Sequence, residues 1–305
     1  MNGLRVPGTE DGKARTIRER EGHAVKTSLG VIRIFTVSIV ALVLLASLAR
    51  ATPSTTYWTP MTPDIQSFGV LHIGVDNYFT IGKNTRAGGG NFPTDVGLTM
   101  GVLPFEKLQM EVGIDMLEPE NWEPNGNQFH VSPYSYNAKL GSPEGVLFKE
   151  SPALYVGYFA GGFAHHNVPS NLTALDTFYG AIGKTIPYIG RISAGPYIGN
   201  SRSLVNSYGS KADTGWMVAF DHGFLPVKDK EGKDEYNRIV LAADYMSGNN
   251  VLGGGGVGVY YYFTKDISLL TGPVWFNEPN INGKWKWTVQ LDINVDVLSK
   301  LFSKK

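Results

Sequence analysis

Residues 285–297, WKWTVQLDINVDV, alternate without a slip. Trp285, Trp287, Val289, Leu291, Ile293, Val295 and Val297 share one parity, and Lys286, Thr288, Gln290, Asp292, Asn294 and Asp296 share the other. A period of two is the mark of an extended strand with one apolar and one polar face. The run is thirteen residues long, whereas strands usually have about five or six. A tilted strand that crosses a bilayer needs roughly 9–11 residues, with aromatic side chains at the headgroup level. This stretch has that length and opens on two tryptophans. A long edge strand of a soluble sandwich is the competing reading, and the rest of the chain decides between them.

The chain has 305 residues, 37 of them glycine and 15 tyrosine, and only 18% are charged. That balance suits a turn-rich β-protein. It has no cysteine, which excludes disulfides, thiolate metal sites and covalent haem attachment. At the N-terminus, Lys26 and Arg33 precede an apolar run from Ile34 to Leu48, followed by Ala49-Arg50-Ala51. A positive region, a short apolar run and a small-x-small pattern predict a signal peptide cleaved after Ala51. The run is too short for a transmembrane helix, which needs about twenty apolar residues. Residues 1–25 are polar and lie upstream of an ordinary signal start, so Val25 is a candidate initiator. Without residues 1–51 the chain keeps 19 basic and 23 acidic residues, a net charge of −4. This balance gives no basic footprint for nucleic acid.

Residues 52–66, TPSTTYWTPMTPDIQ, carry three prolines and no period. They are expected to form a periplasmic lead-in. From residue 67 to 298 alternation recurs, and it predicts strands near 68–81, 94–103, 108–117, 133–141, 153–163, 173–183, 189–199, 213–221, 237–246, 254–263, 268–276 and 285–297. Residues 94–117 are the clearest hairpin: Val96, Leu98, Met100 and Val102, then Leu108, Met110, Val112, Ile114 and Met116, line one face across a turn at 104–107. A long charged turn is expected between the eighth and ninth strands, and residues 299–305 form a short basic tail. Twelve strands return the chain to the side where it began. Short turns fall on one side, and longer polar loops such as 118–132 and 200–212 fall on the other. Unpaired backbone groups cost several kcal/mol each in hydrocarbon, so an open sheet is not viable there. Pairing the first strand with the last removes both edges. The predicted fold is all-β: a closed, antiparallel, up-and-down transmembrane barrel of about twelve strands.

On the signal segment, the alternation, short turns such as VLPFEKLQMEVG (102–113) and the aromatic strand ends, the chain resembles bacterial outer-membrane β-barrels of the small porin-like class. The resemblance covers roughly 67–297. It implies a Gram-negative outer-membrane location, contact with outer-membrane lipids and lipopolysaccharide, insertion by the barrel-assembly machinery, and passage of ions or small hydrophilic solutes. Barrels of this class typically end on an aromatic residue, whereas here Phe302 is followed by Ser303-Lys304-Lys305. No cofactor is expected.

With the apolar parity facing lipid, Asp76, Asp95, Glu111, Asp115 and Asp292 point into the lumen from strands 12, 1, 2 and 3. Lys139 and Arg191 are expected to face them from the far side. Two readings of this charged lumen stay open: a transverse field across a water-filled constriction, or salt bridges that plug it. A lipid hydrolase is the rival class, raised only by His165 and His166 near the long-loop rim, and no serine motif accompanies them. The same histidines have no carboxylate at a metal-ligand spacing. The glycine run 253–256 lacks the Lys-Ser/Thr of a phosphate loop. A third possibility is a structural or sensory barrel that conducts nothing and binds a partner through its loops.

Overall fold

The computed structural model describes residues 57–79, 94–118, 134–162, 174–232 and 234–297. The expected signal segment, the C-terminal tail with Phe302, and His165 and His166 lie outside the described residues. Twelve strands form one closed antiparallel barrel. They are β1 (Val70–Phe79), β2 (Thr94–Gly101), β3 (Gln109–Glu118), β4 (Tyr134–Ser142), β5 (Ala153–Gly161), β6 (Thr177–Ile186), β7 (Gly190–Ile198), β8 (Thr214–Lys228), β9 (Asp234–Met246), β10 (Gly254–Thr264), β11 (Ile267–Phe276) and β12 (Trp285–Asp296). One helical turn, α1 (Pro279–Asn282), sits between β11 and β12, capped by the Glu278 side chain.

Closure rests on the stretch read first. β12 pairs with β1 in unbroken register from Val70↔Asp296 to Phe79↔Trp287, so the first and last strands leave no free edge. The expected parity holds around the wall. Large apolar side chains face outward and are exposed, among them Val75, Leu98, Val112, Val156, Ile182, Trp216, Val259 and Trp287. Polar side chains on the other parity are buried inside, including Lys286, Thr288, Gln290 and Asn294 of β12.

The structure changes one stretch of the expected strand map. The eighth and ninth strands do not stop at 221 and 237; β8 runs to Lys228 and β9 begins at Asp234, which leaves a turn of only 229–233. Beyond Arg191↔Asp221, β8 has no neighbour in β7. It continues with β9 alone through Pro226↔Asn237 and Val227↔Tyr236. A two-stranded ribbon therefore projects past the short-turn rim. Phe224 and Leu225 are exposed on it, whereas His222, Gly223 and Tyr236 border the lumen at its base.

Candidate functional site: a lumen filled by the N-terminal segment

Residues 57–66 run through the lumen, where the sequence suggested only an aperiodic lead-in outside the barrel. Tyr57, Thr59, Met61, Thr62, Ile65 and Gln66 are all buried. The absence of a period has a physical reason: a single chain inside a barrel is surrounded on all sides and has no solvent face to alternate with. Its two prolines, Pro60 and Pro63, suit a segment with no partner in the ladder, since each removes a backbone donor that would otherwise need one.

Three anchors hold the segment. At the long-loop end, one carboxylate oxygen of Asp244 in β9 accepts the N–H groups of Tyr57, Trp58 and Thr59 at 3.0, 2.7 and 2.6 Å, and the Thr59 hydroxyl at 3.0 Å. The indole of Trp58 donates to the Leu252 carbonyl at 3.1 Å. Near the short-turn rim, Arg191 of β7 forks onto both oxygens of Asp64 at 2.6 Å and donates through Nε to Asp221 of β8 at 2.8 Å. Planar, bidentate pairing of this kind is the strongest class of charge-assisted hydrogen bond. Lys139 of β4 donates to the Asp64 carbonyl at 3.0 Å, and Tyr155 of β5 donates to the Met61 carbonyl at 3.2 Å. At the short-turn end, Glu111 of β3 accepts the Gln66 N–H at 2.7 Å.

The wall is cut back to admit the segment. The ring of Tyr57 lies against Gly256 and Gly258 of β10, where any Cβ would run into it. At Gly101, a Cβ would strike the carbonyls of Gln66 and Ser67, where the chain leaves the lumen to start β1. Part of the glycine run near 253–256 thus makes room for an aromatic ring.

All seven charged residues expected in the lumen border its cavities, but in a different partnership from the one the sequence suggested. Lys139 does not stand across from the carboxylates. It is the register partner of Glu111 on the adjacent strand, with Nζ 3.4 Å from the Glu111 carboxylate. Arg191 is engaged by Asp64 and Asp221. Asp292 lies 3.4 Å from His72 Nε2, and His72 Nδ1 is 2.7 Å from Asn294 Oδ1. Asp115 accepts from Asn137 at 2.8 Å. Asp76 and Asp95 sit side by side on β1 and β2, and among the described residues no lysine or arginine pairs with either. Sequence reading missed Asp64, Asp221 and Asp244. Asp244 was within reach, because it lies on the polar parity of β9. Asp64 had no strand context to give it a direction.

Two cavities border the segment. One, about 220 Å³, lies toward the long-loop end, between the carboxylates of β1–β3 and the side chains of Tyr57, Trp58 and Pro60. The other, about 520 Å³, lies toward the short-turn end and is bordered by Thr62, Asp64, Arg191, Asp221 and the base of the β8–β9 ribbon. The buried Met61 lies between the parts of the segment that face them.

No family model matches the chain, and no curated protein matches it either. Solved structures do. An outer membrane channel from Pseudomonas putida F1 is similar over 82% of this chain and 99% of its own, with 9% identity and a TM-score of 0.42. OmpF of Salmonella typhi is similar over 74% and 96%, with 8% identity and a TM-score of 0.36. A mutant porin of Rh. blastica is similar over 81% and 66%, with 8% identity and a TM-score of 0.33. The solved structures that this twelve-stranded barrel resembles are thus outer-membrane channels and porins.

Proposed function

We propose that this protein is an outer-membrane channel for ions or small hydrophilic solutes, and that its own N-terminal segment narrows the lumen. The observation that carries this reading is the pair of cavities at opposite ends of the barrel, with residues 57–66 between them. A belt of exposed apolar side chains on every side supports a lipid surround, because a water-exposed patch of that extent is not tolerated on a soluble monomer. The short-turn side then faces the periplasm. Solute follows the polar wall past the segment, and the side chains along that path set which charges pass.

Planar-bilayer recording tests the reading. The full chain is expected to give a small conductance with a modest preference for cations, which weakens as salt screens the carboxylates. Deleting residues 57–66 is expected to raise conductance several-fold while the barrel keeps its heat-dependent shift in gel mobility. If both proteins are folded and neither conducts, the channel reading is wrong and the barrel is structural or binds a partner.

A further inference from the structure

Four carboxylates of β12, β1, β2 and β3 form a frame. Strand register aligns Asp292, Gly74, Gly97 and Asp115 in one row across β12, β1, β2 and β3. The next inward-facing row sets Asp76 beside Asp95. Two glycines make the floor, and four carboxylates stand around it. A Cβ on Gly74 would find only the ends of His72 and Asp76, at 3.6 and 4.0 Å, so the floor is open there, whereas at Gly97 it would meet Asp115 Oδ1 at 2.8 Å, which lies over that glycine.

Two further observations give the frame a ligand. First, Asp95 Oδ1 is buried and accepts no hydrogen bond, which is costly for an ionised carboxylate unless a proton or a nearby cation neutralises it. Second, aromatic side chains border the same cavity. Trp58 packs edge-on against Tyr78 at 5.5 Å, and Tyr78 stands two residues from Asp76 on the same face of β1. Negative charge beside aromatic rings is the combination that holds an ammonium group carrying apolar substituents. The carboxylates are spread around the floor and do not converge, and among the described residues no three His, Asp or Glu side chains close on a metal-sized point. At about 220 Å³ the cavity is smaller than the roughly 300 Å³ at which sites for drug-sized molecules begin.

We infer that this cavity binds a small organic cation, an ammonium ion with apolar substituents, seated over Gly74 between Asp76, Asp95 and Trp58. The inference rests on the channel reading, because it names the class of solute that the channel would select.

Calorimetric titration of the detergent-solubilised full chain with tetramethylammonium chloride, at ionic strength held constant with sodium chloride, tests the site. Saturable binding is expected, with none for tert-butanol, a neutral probe of similar size. The double variant Asp76→Asn with Asp95→Asn nearly preserves shape, and its folding is checked by gel mobility. It is expected to weaken tetramethylammonium binding at least about tenfold. Binding that survives the double substitution, or no binding at all, overturns the inference. Bilayer recording separates this failure from failure of the channel reading. Conductance in the 57–66 deletion without tetramethylammonium binding to the full chain rejects the site and leaves the channel. Binding in the full chain with no conductance in either protein rejects the channel reading.

Discussion

The lumen has two sides that use the same residue type differently. On the β3–β9 side, each of Glu111, Asp221 and Asp64 lies against a cation, and Glu111 and Asp64 also tie the N-terminal segment to the wall. On the β1–β2 side, Asp76 and Asp95 stand directly opposite each other and face a cavity. Carboxylates on one side hold a peptide in place. Those on the other are kept available, at the expense of repulsion between them. Parity puts all of these strand residues inside, so the contrast arises from what stands next to each, not from which way it points.

The largest expected effect comes from the outside of the wall that carries the free carboxylates. Leu291 pairs with Val75 and Leu269 near mid-strand and lies on the outward parity, back to back with Asp292. Leu291→Lys is expected to destabilise insertion into bilayers by roughly 2–4 kcal/mol, read from the denaturant midpoint of folding into vesicles. An unchanged midpoint would mean that this face does not meet lipid. Arg191→Gln comes next, because it leaves Asp64 and Asp221 together without their cation. A fully buried pair broken in this way costs about 3–5 kcal/mol; with the Arg191 side chain 22% exposed, about 2–3 kcal/mol is expected. The same variant should show stronger cation preference in asymmetric salt.

Asp95→Asn is expected to act with the opposite sign. It relieves like charges directly opposite across a strand pair, so stability should rise by up to about 1 kcal/mol. Destabilisation by this substitution would show that Asp95 has a partner, and the contrast between the two sides would fail. The smallest effect lies outside the membrane, at the short turns. There Glu144 accepts from Lys184 at 2.8 Å and from the Thr185 N–H and hydroxyl at 3.0 and 2.7 Å. Burial alone would raise the Glu144 pKa, but Lys184 and Thr185 together hold its carboxyl below the usual range. A lowered folded pKa gives stability that is present above the unfolded value and lost as pH falls through the folded one. The pair is partly exposed, so Glu144→Gln is expected to cost only a few tenths of a kcal/mol at pH 7. The difference from wild type should shrink in melts taken at progressively more acid pH, below the ordinary carboxylate range.

Legibility followed the surroundings of each segment. Strands between lipid and lumen have two unlike faces, and alternation records both; hence β2, β3 and β12 could be placed within a residue or two from sequence. The β8–β9 ribbon is not legible in the same way, because glycine, proline and a cluster of charges interrupt the alternation from Gly223 to Arg238. Parity gives inside or outside but not which neighbour is adjacent, so it sets Lys139 no nearer to Glu111 than to the far wall. Its pairing with Glu111 needed the β3–β4 register.

By itself, then, the sequence determined a closed barrel and the inward set of charges, because a period of two is imposed locally by the pleat and globally by the two solvents on either face. Tertiary structure alone decided that residues 57–66 fill the lumen, and which carboxylates they leave free. Those facts depend on contacts between residues more than a hundred positions apart, such as the Asp64 carboxylate with Arg191 and the Tyr57 N–H with Asp244. A single chain enclosed on every side has no repeating pattern of exposure from which such contacts could be read.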